Sequence, residues 1–232
     1  MEKSPTQNNQ KNLRVGGHAR RTWKKAKAQG KAEYKSPREI YEIIHRGEWP
    51  YKTRPDFYRK RDRALAALVY LTSGRINEAL RVKRRQIRED PDDPDFLVVH
   101  SFWISKRKGG KYDVVDIPLP RVGKLAPFTE LVEEYLDLVE PEEKLFRFGS
   151  SRALAIIEYM TRDPDAPETL DPDAHYDKSI WCHYLRAQSL TYMVNLLRST
   201  IIVAKDRGIV NPQTLAHYYT GEWKEHKEEL KK

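Results

Sequence analysis

Thr72-Ser73-Gly74-Arg75-Ile76-Asn77-Glu78-Ala79-Leu80 contains the end of one helix and the start of another. Just before it, Ala64-Leu65-Ala66-Ala67-Leu68-Val69-Tyr70-Leu71 is apolar all round. That face is too wide for a surface helix and reads as core. Gly74 is expected to end this helix, and the next should cover about residues 76–82. Arg75 then sits at a helix N-terminus. Glu78, one turn later on the same face, can support it.

The rest of the chain arranges itself around that junction. Upstream, Ser36-Pro37-Arg38-Glu39 has an N-cap serine, a proline at the first helical position and a glutamate three residues after the cap. It predicts a short helix to about Arg46, and a second helix should begin near Pro55 and run into the core segment. Downstream, residues 96–104 (FLVVHSFWI) are β-branched and aromatic, which predicts a strand. A basic turn, Lys106-Arg107-Lys108-Gly109-Gly110-Lys111, leads to a returning strand over 112–119, stopped by Pro118 and Pro120. The two strands make a hairpin.

Helices follow at about 128–139 and 151–161, then an acidic, proline-rich loop over 163–178. A long helix over 179–197 carries His183-Tyr184-Leu185-Arg186 in its first turns, and a shorter one lies near 200–207. Pro212 opens a last helix bearing Tyr218 and Tyr219. The expected fold is mainly α with one small antiparallel sheet, an α+β domain over residues 37–232.

The chain has 232 residues and a formal charge of +9. Residues 1–36 hold ten Lys or Arg against two acids, whereas the remainder holds 33 against 32. The excess charge is therefore an N-terminal arm without apolar periodicity, expected to be disordered alone. Such arms bind polyanions by counterion release, with Arg20, Arg21, Lys24 and Lys25 as its contacts. No apolar run approaches the ~20 residues of a membrane helix. The single cysteine, Cys182, excludes an internal disulfide and fits a reducing, cytoplasmic compartment. His45, His100, His175 and His226 have no metal-ligand spacing.

Arginines after a turn, a His-x-x-Arg and a downstream tyrosine are what metal-free phosphodiester transfer requires. The scissile phosphate gains negative charge in the transition state, and the planar fork of arginine meets it. Arg75 and Arg186 would clamp the phosphate. The attacking phenol must lose a proton, and the leaving 5′-oxygen must gain one. Lys106 is the candidate general acid, with Lys108 as a substitute and Lys111 as a further DNA contact. His183, one turn before Arg186, would assist proton transfer. Tyr218 or Tyr219 would be the nucleophile, giving a covalent 3′-phosphotyrosine that needs neither ATP nor metal for rejoining.

On these residues the chain resembles the catalytic domain of the tyrosine recombinases, the phage-type integrase family, including archaeal viral members. Their first motif, T-G-x-R-x-x-E, is matched by Ser73-Gly74-Arg75-Ile76-Asn77-Glu78 with Ser in place of Thr. Their hairpin lysine corresponds to Lys106 and their His-x-x-Arg to His183 and Arg186. Their tyrosine lies a little over thirty residues beyond the second arginine, as Tyr218 and Tyr219 do. The resemblance covers residues 37–232. It implies double-stranded DNA as partner, a monomer when free and a tetramer on DNA, and no cofactor.

Two departures stand out. The family places a His or Trp about nine residues before the tyrosine. Here Gly208, Ile209 and Val210 occupy that region, with Lys205, Arg207 and His217 as neighbouring substitutes. The separate DNA-binding domain that usually precedes the catalytic one is reduced to the basic arm, as in a minimal recombinase or a piece of a longer protein. Competing readings are a type IB topoisomerase, which uses the same residue set on one strand, and a DNA-binding relative that has lost cleavage. A metal-dependent nuclease is set aside, because Ile104 stands where it needs an acid.

Overall fold

The structure, a computed structural model, describes residues 34–48, 51–105, 112–161, 182–197, 199–207, 209, 212, 213 and 215, with only the backbone at Tyr112 and His183. Helix α1, Pro37–Arg46, begins as its sequence dictates. The Ser36 hydroxyl accepts from the Glu39 N–H at 3.3 Å, and the Glu39 carboxylate accepts from the Ser36 N–H at 2.8 Å. Its apolar positions Ile40 and Ile44 are fully buried.

Helix α2, Pro55–Thr72, is the axis of the domain. Every residue from Ala64 to Thr72 is buried, as the apolar run predicts. Burying one such leucine contributes roughly 1.5–3 kcal/mol. Around α2 pack α1, the four-residue α3 (Ile76–Ala79), α4 (Ala126–Leu136), α5 (Ser150–Met160) and α6 (Cys182–Leu197). Tyr70 of α2 stacks on Phe128 of α4 with ring centroids 4.5 Å apart. A short helix, α7 (Thr200–Asp206), follows α6 and shares a small apolar cluster with it. Among the described residues no helix is long and apolar enough to cross a membrane.

The sheet has three antiparallel strands in the order β1 (Ile87–Glu89), β2 (Phe96–Ser105), β3 (Tyr112–Pro120). The hairpin is the expected one, and β1 adds to it. Pro118 does not stop β3: it pairs with Val98 inside the strand. Among the described strands β3 is an edge, where a missing N–H is tolerated.

A register shift between Val99 and Phe102 decides what β2 presents. Leu97 and Val99 face the core before it, Phe102 and Ile104 after it. The extra residue reverses the alternation, as a β-bulge does. Ser101 takes φ 52° there. The bulge is held by Asp116, whose carboxylate accepts from the Ser101 N–H at 2.7 Å and lies 3.0 Å from His100 Nδ1. Gln86 donates to the carbonyls of both His100 and Ser101. Trp103 and Ser105 are thereby turned to the other face of β2 from Phe102 and Ile104.

Other boundaries moved slightly. Helix α3 is shorter than the expected 76–82 stretch, and α4 starts and ends earlier than 128–139. The basic turn, the 163–178 loop, the start of the 179–197 helix and most of the last helix lie outside the described residues.

Candidate active site

The junction after α2 is built by short-range chemistry. The residue that leaves the helix is Ser73, at φ 50° and ψ 26°, with its N–H bonded to the Tyr70 carbonyl. Ser73, and not Gly74, is therefore the left-handed cap. Gly74 is required for a different reason: a Cβ there would lie 2.8 Å from Phe102 Cζ and 2.8 Å from Thr72 Oγ1. The Thr72 hydroxyl donates to the Leu68 carbonyl at 2.7 Å and accepts from the Gly74 N–H at 3.1 Å. The chain then turns extended at Arg75, which caps α3.

Glu78 fixes that arginine. Its Oε2 accepts from the Arg75 N–H at 2.7 Å, and its Oε1 accepts from Arg75 Nη1 at 2.8 Å. The same Oε1 accepts from the Ser105 N–H at 2.9 Å and the Ser105 hydroxyl at 2.7 Å. Arg75 Nη1 also donates to the Ser105 carbonyl at 3.2 Å. Glu78 is buried, and burial alone would raise its pKa. The N–H groups of Arg75 and Ser105, the Ser105 hydroxyl and the Arg75 guanidinium outweigh burial and hold it below its ordinary value. Arg75 itself stays about a third exposed, at 34% of its side chain. Among the described residues Nε and Nη2 make no hydrogen bond, so that part of the fork is open to an anion.

Arg186 reaches the same junction from α6, donating through Nη1 to the Ser73 carbonyl. The Ser73 and Ser189 hydroxyls lie 2.7 Å apart and join the junction to α6 again. Two arginines 111 positions apart in sequence are therefore anchored on one turn. His183 occupies the first turn of α6, three residues before Arg186. Lys106 follows Ser105 directly in the chain, and Ser105 is bonded to both Arg75 and Glu78.

Lys106, Lys108, Lys111, Tyr218, Tyr219, Arg20, Arg21, Lys24 and Lys25 lie outside the described residues, as does the side chain of His183. Of the neighbours expected to substitute for a His or Trp before the tyrosine, Lys205 is exposed, and His217 lies outside the described residues. Arg207, the residue after α7, is buried at 5% exposure, with Nε 3.2 Å from Asp206 Oδ2. Burial pushes its pKa down. Cys182 is also buried, which raises its thiol to about 12 and leaves it a small core residue.

Sequence reasoning had Ser73 only as a motif position, without its bonds, and missed Ser105 and Ser189. A serine in sequence carries no mark of the bond it will make; the only signal was the place of Ser105 just before the basic turn.

No protein-family model matches the chain, and no curated protein matches it in sequence. Solved structures do. The XerH site-specific recombinase bound to difH substrate in a pre-cleavage complex is similar at TM-score 0.53 and 18% identity, over 84% of this chain and 51% of that one. Its post-cleavage complex on palindromic difH gives 0.54 and 18%, over 84% and 49%. The Tn1549 transposon integrase in complex with transposon right-end DNA gives 0.50 and 11%, over 86% and 65%. The chain thus spans about half of the two recombinase structures and 65% of the integrase structure. What the likeness shows is the fold: a mainly helical domain with a small antiparallel sheet, the tyrosine recombinase catalytic-domain fold.

Proposed function

We propose that the chain cleaves and rejoins double-stranded DNA as a site-specific recombinase, through a covalent 3′-phosphotyrosine. The observation that carries this reading is the junction that anchors Arg75 and Arg186 together, with the fork of Arg75 partly open. Two fixed guanidinium groups would bind the non-bridging oxygens of the scissile phosphate and stabilise the charge of its transition state. Because Glu78 and Ser105 hold Arg75 beforehand, little reorganisation is needed when the phosphate arrives.

In the forward step the phenolate oxygen of Tyr218 or Tyr219 forms a bond to phosphorus, and the bond from phosphorus to the 5′-oxygen breaks. The phenolic proton passes to a base, with His183 in that role. The 5′-oxygen takes a proton from Lys106. Rejoining runs the same step backwards, with a 5′-hydroxyl as attacking group and tyrosine as leaving group. Residues 37–232 form the catalytic domain. Residues 1–36 form a basic arm that lies along the DNA, and strand exchange takes place in a tetramer of monomers assembled on DNA.

The test is to trap the intermediate. A nicked suicide duplex carrying a candidate attachment site is mixed with wild type, Tyr218→Phe and Tyr219→Phe, then run on a denaturing gel. The expected result is a protein–DNA adduct from wild type that is absent from one of the two variants. Binding without any adduct would reject strand transfer in favour of a DNA-binding role.

A further inference from the structure

Beside the Arg75–Glu78 pair lies an open groove of about 450 Å³, with Glu78, Arg81, Lys83, Gln86, Trp103 and Lys144 in its lining. Its charge is one-sided. Among the described residues its only carboxylate is Glu78, whose two oxygens are already occupied by donors from Arg75 and Ser105. Among the described residues the side chains of Arg81, Lys83 and Lys144 make no ion pair, whereas Arg61, Arg85, Arg121 and Arg147 each have an acid within reach. In a body with nearly balanced charge, three unpaired cations around one groove are a local excess.

The backbone makes this excess costly. Lys83 and Lys144 face each other across an isolated antiparallel bridge, flanked by bonds from the Arg84 N–H to the Glu143 carbonyl and from the Leu145 N–H to the Val82 carbonyl. Like charges directly opposite across such a pair destabilise it. Purely structural packing has no use for that arrangement, but an anion between the lysines would remove the penalty. Arg81 is placed as well: its guanidinium carbon lies 5.1 Å from the centroid of the Trp103 ring. A cation held over an aromatic face keeps its N–H edge available. Trp103 faces the groove because the bulge at Ser101 reversed the alternation of β2.

We infer that this groove binds the phosphate backbone of the DNA, through Lys83, Lys144 and Arg81, next to the phosphate held by Arg75. The inference rests on the DNA-cleaving reading of the Arg75 site and adds to it a second anchoring point, one that positions the duplex without taking part in the chemistry. Glu78 borders both sites, so the backbone in the groove and the phosphate at Arg75 would belong to one continuous stretch of DNA.

The experiment measures duplex binding by fluorescence anisotropy from 50 to 300 mM salt. It compares wild type, Lys83→Gln/Lys144→Gln, the charge-preserving Lys83→Arg/Lys144→Arg, and a control pair elsewhere, Lys52→Gln/Lys124→Gln. Each phosphate contact contributes about 0.9 to the slope of log affinity against log salt. The glutamine pair should flatten that slope by about 1.8, so that its affinity deficit shrinks about tenfold between 50 and 200 mM salt. The arginine pair should keep the wild-type slope, and the control pair should stay within about 0.5 of it. A slope unchanged in the glutamine pair, or changed equally in the control pair, overturns the groove. Adduct trapping on the same samples separates the two ideas. Wild-type binding without an adduct rejects the active site, while an adduct with an unchanged glutamine slope rejects only the groove.

Discussion

The two ends of α6 are held in very different ways. At its start, Arg186 and Ser189 bond to the turn after α2, which sits on the main core. At its end, Leu190 and Val194 belong, among the described residues, to a small satellite cluster with Val203, Ala204 and Leu215, against which Met193 and Ile209 pack. Leu196, Leu197, Ile201 and Ile202 stand exposed around it. Arg207, just after α7, is buried too, and among the described residues its Nε and Nη1 make no hydrogen bond, Nε having only the ion pair with Asp206. Both ends belong to one helical stretch, yet one is over-determined and the other is thinly supported. The first suits a site that must present fixed charge; local opening is expected to concentrate in the second.

The largest test of this contrast is chemical. Arg75→Ala or Arg186→Ala should lower adduct formation by at least about 10²–10³-fold, as loss of a fixed transition-state donor does, with DNA affinity only modestly weakened. Single-turnover cleavage on saturating duplex checks this. Near-normal cleavage by either variant would remove the junction from the chemistry.

A smaller effect separates the two cores. Leu68→Ala, in the buried run of α2, should cost about 2–5 kcal/mol in denaturant unfolding. Val203→Ala should cost on the order of 1–2 kcal/mol, and α7 amides should exchange well before those of α2. Equal costs and equal protection would mean that the two ends form one cooperative unit.

The smallest effect is a pH signature at Glu78. Its folded pKa lies below its ordinary value of 4.5. Its contribution is therefore complete above that pH and is lost as pH falls through the lower folded value. Glu78→Gln should cost on the order of 1–3 kcal/mol at pH 7, and the gap from wild type should narrow below about pH 4.5. A gap that stays constant down to pH 3 would mean that the carboxylate charge does not matter to the junction.

Much of the fold was legible because the sequence states it locally. Ser36 and Glu39 specify a helix start through two bonds within four residues, and the 64–71 run can only be core. Strands β2 and β3 were legible from their β-branched and aromatic content. Strand β1 was not: Ile87-Arg88-Glu89 is too short to show alternation, and it exists because β2 offers it an edge. The reversal at Ser101 was hidden for a similar reason, since the Asp116 and Gln86 that hold it are distant in sequence. At the site, the residue types of Arg75, Glu78 and Arg186 could be read from motif spacing. The identity of the left-handed residue could not. Gly74 looked like the cap, but Ser73 takes that conformation while Phe102 crowds the glycine. Pro118 misled in the same way, since its place in β3 depends on which edge of the strand is free.

One carboxylate holds both a turn and the end of a strand. Ser105 gives Glu78 two hydrogen bonds and receives one from Arg75, so the last residue of β2 and the arginine form a mechanical interlock. A pull on the hairpin is also a pull on the guanidinium. A displacement of Ser105 is therefore expected to change the reach of Arg75 at the same time.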